Sequence, residues 1–296
     1  MLPIIEPPLG TQYGHRSASQ LSSYSQCAEA FRLSRVAKVP KRPAAWLIHG
    51  TAYHFAVEEY ENSGRKLTKE VLESLFRDLY KEEIEKLKER WPDEKDWLTG
   101  GNKKGWNDIR DREEVGVWQV HDYVDFAEAH KDEWRILPLG NGQIATEVKF
   151  EITLGGVTVV GYIDQIREFR DGSLEVADLK TGTRKPASSM QLGVYRLVTF
   201  ENTGKMPATG VFVKAGKPAT EKVEAKPTQD LRVTLDEWTP EFLGSLFSDM
   251  DRMDKQGLFL PNPQEGCERV CDVAEYCRIK GWGDRATFSE IRVRVS

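Results

Sequence analysis

Residues 176–182 read VADLKTG, an aspartate and a lysine two positions apart at the end of an otherwise apolar run. Alternate side chains of a strand share a face, so Asp178 and Lys180 are neighbours there together with Val176, while Leu179 points the other way. Alone, such a pair is an ordinary ion pair of little energetic weight. Turn chemistry upstream brings it company. If Gly155-Gly156 forms a two-residue hairpin turn, Glu147 faces Asp164. If Arg170-Asp171-Gly172 is a three-residue turn with Gly172 left-handed, Asp164 faces Asp178. A two- or four-residue loop at the second turn would instead oppose Asp164 to Leu179. In the first register Glu147, Asp164, Asp178 and Lys180 converge on one face. Carboxylates placed directly opposite each other destabilise a sheet, and burial makes an uncompensated charge costlier. A hard divalent cation such as Mg²⁺ is the natural compensation, being held by carboxylates together with phosphate oxygens. The bland alternative is a carboxylate pair fanning into solvent with Lys180 as counter-ion.

The elements that must position these groups follow from periodicity. SASQLSSYSQCAEAFRLSR (17–35) has helical spacing with serines as caps. A second helix is expected from Ala44 to Tyr60, and 68–91 reads as a long amphipathic helix with a solvated charged face. A glycine-rich loop, TGGNKKGWND (99–108), precedes a further helix to about His130. From residue 143 the pattern becomes β-branched and alternating: three strands joined by the two turns, a helix over 186–200, and strands ATGVFVKA and QDLRVTL (229–235). Helix TPEFLGSLFSDMDRMDKQG leads to a cysteine-rich tail. This order predicts an α/β fold with a mixed sheet flanked by helices.

The chain of 296 residues is long enough for a substantial core. With 42 basic against 47 acidic residues, a net charge of −5 excludes bulk attraction to nucleic acid and leaves only a local basic patch. No run approaches the roughly 18 apolar residues of a membrane span, and no signal peptide opens the chain, so a soluble cytoplasmic protein is expected. In that compartment four cysteines point to metal ligands or inert core residues more than to disulfides.

GYIDQI, VADLKTG and QLGVY, in that order, resemble the PD-(D/E)XK nuclease superfamily and its RecB-like exonuclease branch. LIHGTAYHFAVEEY (47–60) resembles that family's histidine helix, and SSYSQCAEAFRL its N-terminal cysteine helix. The resemblance implies a restriction-endonuclease-like mixed central sheet in one nuclease domain spanning 1–296. Its parts would be a largely helical region (17–135) with Cys27 and His54, a catalytic sheet core (143–235), and a C-terminal helix with a cluster-binding segment (236–296). It implies Asp164, Asp178 and His54 as ligands of Mg²⁺ or Mn²⁺. Lys180 would orient or activate the water that attacks phosphorus in line. Glu147 would join the catalytic group by binding metal through water or by sharing a hydrogen bond. Gln191 and Tyr195 match the family's Q-x3-Y, four apart on one helix face. Two readings of Gln191 stand open, because Ser188-x-x-Gln191 is also a capping box. Tyr195 is expected to position DNA or to pack.

Cys27 with Cys267, Cys271 and Cys277 resembles the iron–sulfur variants of this branch, the AddB nuclease domain and the CRISPR-associated exonucleases. That implies a [4Fe–4S] cluster joining the chain's ends, with Zn²⁺ as the alternative. The spacing departs from the usual pattern, with three residues between Cys267 and Cys271 and Ala28 in place of proline.

The activity implied is metal-dependent exonucleolytic hydrolysis at DNA ends in recombination, repair or phage replication. Rival readings are a non-catalytic DNA-binding or assembly subunit, and a nuclease trimming DNA for a CRISPR integrase. Lys38, Lys41, Arg42, Arg184, Lys185, Lys214, Lys217 and Lys222 are candidate phosphate contacts, and Trp46, Trp106 and Tyr195 candidate stacking platforms. Partners implied are single-stranded or duplex DNA ends and a recombinase or single-strand annealing protein. A homo-oligomer is compatible with this, a membrane is not.

Overall fold

A computed structural model describes residues 14–99, 105–140, 142–182 and 186–277. The helices are α1 (Ala18–Gln26), α2 (Ala28–Phe31), α3 (Ala45–Asn62), α4 (Lys69–Arg90), α5 (Gly105–Ala129), α6 (Met190–Thr203), α7 (Pro240–Lys255) and α8 (Cys267–Val270). The strands are β1 (Trp134–Ile136), β2 (Thr146–Leu154), β3 (Val157–Phe169), β4 (Leu174–Lys180), β5 (Thr209–Lys214) and β6 (Gln229–Val233). β2, β3 and β4 form the antiparallel meander read from the sequence, in the register its turns dictate. Gly155 and Gly156 both have positive φ (58° and 76°), as a two-residue turn of this hand requires. Leu154 therefore pairs with Val157, and Thr146 with Gln165. Gly172 is left-handed (φ 80°), and the second hairpin pairs Glu168 with Leu174 and Gln165 with Ala177.

Chain direction then changes, because a helical crossover returns the chain parallel to the strand it left. α6 carries it back so that β5 lies parallel to β4, with Lys214 beside Lys180. β6 closes the sheet antiparallel to β5. The short β1 pairs with the far end of β3. Sequence alone does not announce β1, since three residues are too few to show alternation.

α3, α4 and α5 pack on one another as a helical layer, with α3 touching β2, while α6 and α7 cover β2 to β5 and α1 rests on α6 and α7. One hydrophobic core runs through both layers, from Leu72 and Phe76 to Val176, Val211 and Phe247. The mixed sheet flanked by helices is thus as expected. α7 reaches the first hairpin closely: a Cβ on Gly155 would stand 2.0 Å from the Gly244 carbonyl oxygen. The predicted single helix over 17–35 is broken. Cys27 is extended (φ −163°, ψ 103°) between α1 and α2, and residues Arg32–Val36 follow as a π-helical turn. Ser17 is the cap expected, its Oγ accepting from Gln20 N–H. Among the described residues no helix is long and apolar enough to cross a membrane.

Two buried arginines fasten the layers. Arg16 pairs with Asp251 at 2.7 Å and Asp254 at 2.6 Å on α7, while its backbone bonds to Thr158 and Val160 of β3. Arg167 pairs with Asp230 at 2.9 Å, its guanidinium 4.0 Å from the Trp134 ring centre. Phe150 on β2 lies over Gly161 and meets Tyr195 edge-on at 6.2 Å. A Cβ on Gly161 would sit 2.8 Å from that ring, and Phe150 is itself buried. Gly161→Ala is expected to cost about 1–3 kcal/mol by overpacking; equilibrium denaturation of the purified variant measures it, and an unchanged midpoint would contradict the packing described.

Candidate active site

The site forms where the meander forks. β3 and β4 pair as far as Gln165 and Ala177, and one step further Asp164 and Asp178 are next in register. Here the ladder stops: the Leu179 N–H donates to Asp164 Oδ2 at 2.8 Å, so a side-chain carboxylate takes the place of a backbone carbonyl. On the other side of β3, pairs Thr146–Gln165 and Val148–Ile163 flank Glu147, whose own backbone is left-handed (φ 45°). A non-glycine residue in that conformation stores about 1–3 kcal/mol of strain. The kink moves Glu147 off the ladder while keeping its carboxylate beside Asp164.

α3 delivers the fourth group. His54 Nδ1 lies 3.3 Å from Glu147 Oε1 and 3.6 Å from Asp164 Oδ2, and Nε2 donates to the Leu179 carbonyl at 3.1 Å. Among the described residues His54, Glu147 and Asp164 form a metal-competent group, with ligand atoms all within 4.8 Å of one another. Asp178, 1% exposed, stands behind them, with Lys180 Nζ 2.6 Å from its Oδ2. The compact trio thus contains Glu147 where the sequence reading had put Asp178.

Burial pushes both aspartates up, and their mutual proximity raises Asp178 further, to about 7, against the opposing pull of Lys180 and His54. Burial would lower His54, but Asp164, Glu147 and Asp178 together raise it to about 9. Without metal the cluster therefore holds protons: an imidazolium bridging Glu147 and Asp164, and a proton at Asp178 near neutrality. Oxygen-rich donors that retain protons against their ordinary tendency suit a hard dication, which would replace those protons.

α6 contributes support. Gln191 Nε2 donates to the Tyr195 hydroxyl at 2.6 Å, and that hydroxyl donates to Asp164 Oδ1 at 3.3 Å. Burial and the Asp164 and Asp178 charges keep the phenol protonated. The capping-box reading of Gln191 is overturned. Ser189 is the N-cap without a side-chain cap bond, Ser188 Oγ accepts from Met190 N–H, and Gln191 Nε2 donates to Tyr195. Tyr195 is 3% exposed and pressed against Phe150, so it is no stacking platform.

A groove of about 710 Å³ opens from this group between α3 and the sheet. Trp46, Leu47, Phe55 and Tyr162 line it together with His54 and Glu147. Tyr162 was missed by motif reasoning, although its place two residues before Asp164 puts it on the same face of β3. Other candidates disperse. Arg42 donates to the carbonyls of Asp96 and Lys95, and Lys41 lies 3.8 Å from Asp272, so both serve chain contacts. Trp106 packs edge-on against Trp97, and Lys214 belongs to β5 and not to a loop. Lys217 and Lys222 lie beyond β5, Lys217 bridged to Lys226. Lys38 has positive φ (51°) in the turn before α3. Arg184 and Lys185, like residues 100–104 of the glycine-rich loop, lie outside the described residues.

The cysteines converge from both ends of the chain. Cys27 Sγ accepts from Asn262 N–H at 3.4 Å and Cys267 Sγ from Gln264 N–H at 3.1 Å. Cys271 and Cys277 pack against Leu33, Val39 and Val273. Burial, with neighbouring Asp272, Cys277 and Cys27, pushes the Cys271 thiol up to about 11. Among the described residues no three cysteines bring their sulfurs within 4.8 Å of one another.

A buried carboxylate pair opened by a strand fork, with a lysine and a metal-competent trio around it, is a set of groups that could hold a divalent cation beside a phosphodiester. Residues 15–278 match the PD-(D/E)XK nuclease superfamily, and the chain belongs to it, with DNA as the substrate that a nuclease domain implies and divalent metal as the family's cofactor class. It is 35% identical over 268 residues to the "Gene 69 protein" of Mycobacterium phage D29, covering 89% of this chain and 96% of that one. The "Gene 69 protein" of Mycobacterium phage L5 is 33% identical over 286 residues, with the same coverage. Among solved structures, "Crystal structure of SSO0001" aligns at 16% identity and a TM-score of 0.32, over 58% of this chain and 78% of that one.

The proton-holding cluster fixes a pH dependence. His54 is raised from 6.5 to about 9, so its stabilisation is complete below pH 6.5 and lost as pH climbs through 9. Asp178 is raised from 3.8 to about 7, so the folded state binds a proton that the unfolded chain has released, and stability also falls as pH rises through that window. The melting temperature of EDTA-treated protein is expected to fall from pH 6 to pH 9. Mg²⁺ should recover more of it at pH 9, where fewer protons compete. A larger Mg²⁺ effect at pH 6 would refute the assignment.

Proposed function

We propose that the protein is an Mg²⁺- or Mn²⁺-dependent deoxyribonuclease of the RecB-like branch that hydrolyses DNA from its ends. The observation that carries this is the fork itself, which holds Asp164, Asp178 and Lys180 within reach of the His54–Glu147 pair. When bound, the cation supplies Lewis-acid stabilisation of charge on the phosphate. Asp164 and Asp178 would hold it, with Glu147 and His54 as further ligands. The Tyr195 hydroxyl and the Leu179 N–H orient the two oxygens of Asp164, leaving that carboxylate little freedom to rotate. Lys180, its side chain 34% exposed, pairs with Asp178, and its ammonium would orient the attacking water and offset negative charge gathering on phosphorus oxygens. Neutral His54 would be required for ligation, so its proton leaves as metal enters.

Retention of the complete Asp178/Lys180 pair favours a catalyst over an assembly subunit that kept only the fold. The phage origin of the relatives favours phage replication, recombination or repair over trimming for a CRISPR integrase. For Cys27, Cys267, Cys271 and Cys277 the reading is a [4Fe–4S] cluster. What supports this over the Zn²⁺ alternative is the one-plus-three cysteine arrangement that resembles the iron–sulfur variants of the branch. Backbone N–H groups already directed at two of the sulfurs suit a thiolate cluster. Its role would be to close the chain's ends, converting cluster affinity into folding free energy.

Wild-type protein is expected to degrade labelled linear DNA with Mg²⁺ or Mn²⁺ and to spare closed circles, while Asp178→Ala and Lys180→Ala lose at least about 100-fold in rate. Equal rates in both variants would overturn the mechanism, and cutting of circles would overturn exonuclease action. Anaerobically purified protein should be brown, with about four irons per chain; colourless protein carrying stoichiometric zinc would sink the cluster.

A further inference from the structure

The fold gives no reason for the exposed apolar surface beside the metal-competent trio. Tyr162 is 53% exposed and Leu47 58%, and both line the same groove, one from β3 and one from α3. Leu47, Gly50, Thr51 and His54, all lining the groove, fall at helical spacing on one stripe of α3 about 10 Å long. Tyr162 shares its strand face with Asp164. Lys149, exposed on β2, is its direct cross-strand partner. An aromatic ring and an aliphatic side chain thus line a groove that also includes His54 and Glu147 of the metal-competent trio, with Lys149 on the strand position paired to Tyr162. Its volume of about 710 Å³ lies within the range of about 300–1,000 Å³ that accommodates a small molecule.

We infer that this groove seats one unpaired nucleobase next to the scissile phosphate, with Tyr162 as its stacking platform, Leu47 as an apolar wall and Lys149 on the adjoining phosphate, so that the enzyme engages single strands or frayed ends. The inference rests on the nuclease reading. A base inside a duplex has both faces covered by its neighbours and cannot offer one to a ring on the protein, whereas an unpaired base can. Every base has such a face, so Tyr162 selects strandedness without selecting sequence. Trp46 borders the same groove, but Arg112 lies 5.7 Å over its ring, so Tyr162 is assigned the stacking contact.

Fluorescence anisotropy with Ca²⁺ in place of Mg²⁺ reads this apart from turnover. The probes are a labelled single strand of about 12 nucleotides, the same strand with an abasic residue at its terminal positions, and a blunt hairpin duplex. Tyr162→Ala is expected to weaken single-strand binding about 5- to 100-fold, the range of one base–aromatic stack, with hairpin binding changed less than about twofold. Tyr162→Phe should retain wild-type affinity. The abasic strand should bind wild-type protein more weakly than the intact strand and bind Tyr162→Ala no differently from it. Wild-type affinity in Tyr162→Ala, equal losses on hairpin and single strand, or an abasic penalty that persists in Tyr162→Ala would each overturn the inference. Tyr162-dependent binding in a protein that cleaves nothing with Mg²⁺ would refute the nuclease reading and leave the groove assignment standing.

Discussion

Two carboxylates inside a sheet repel each other in a medium that screens them poorly, and the surroundings of Asp164 and Asp178 answer that repulsion. A regular ladder would have bonded β3 to β4 past these residues and left both side chains without donors. The fork instead gives Asp164 the Leu179 N–H, Tyr195 adds a hydroxyl, His54 adds an imidazolium, and Lys180 is drawn to Asp178. These donors come from three elements, so α3, α6 and the end of β4 are fixed relative to one another by the charge they share. The protons that remain on His54 and Asp178 mark how much positive charge the site still accepts.

The frame around the fork is built to resist the strain it carries. Glu147 is held in a left-handed backbone conformation by regular pairing on both sides. His49, five residues before His54, binds Gln119 at 2.7 Å, and Gln119 in turn donates to the Gly216 carbonyl just beyond β5. Burial lowers His49 to about 4, so that it serves as a neutral strut. The helix that carries His54 is thereby tied to the strand that runs beside Lys180. One helix thus contains two histidines with opposite protonation, and the difference lies in their neighbours: carboxylates around His54, an amide beside His49.

Much of this was legible in the sequence because hairpin turns are short and their chemistry is local. Two glycines at 155–156 and one at 172 offered, among the possible turns, the register that the structure adopts, and that register brings Glu147, Asp164 and Asp178 together. What sequence could not supply was the backbone's departure from regularity. Nothing in TEVKF announces a left-handed Glu147, and nothing in VADLK says that the ladder ends before Asp178. Gln191 illustrates a choice that local pattern cannot make, since the capping box needs Ser188 at the N-cap, whereas the structure caps the helix at Ser189 and turns the Gln191 amide to Tyr195. The cysteine helix failed for a similar reason: its spacing is helical throughout, yet Cys27 is extended where the chain turns to meet Asn262. β1 and the exposed Tyr162 carry too little pattern to be distinguished from loop and ordinary surface.

The contact between Gly155 and Gly244 has a genetic meaning. Where two side chains meet in a core, enlarging one can be relieved by trimming the other, and second-site suppressors arise at the partner position. Here backbone meets backbone, and neither residue has anything left to trim. Gly155 must also keep a positive φ to turn the hairpin that sets Glu147 opposite Asp164. A substitution at either glycine therefore has no compensating change across the contact, and restoring the hairpin would require moving α7 as a body, together with the Arg16 pairs to Asp251 and Asp254 that hold it.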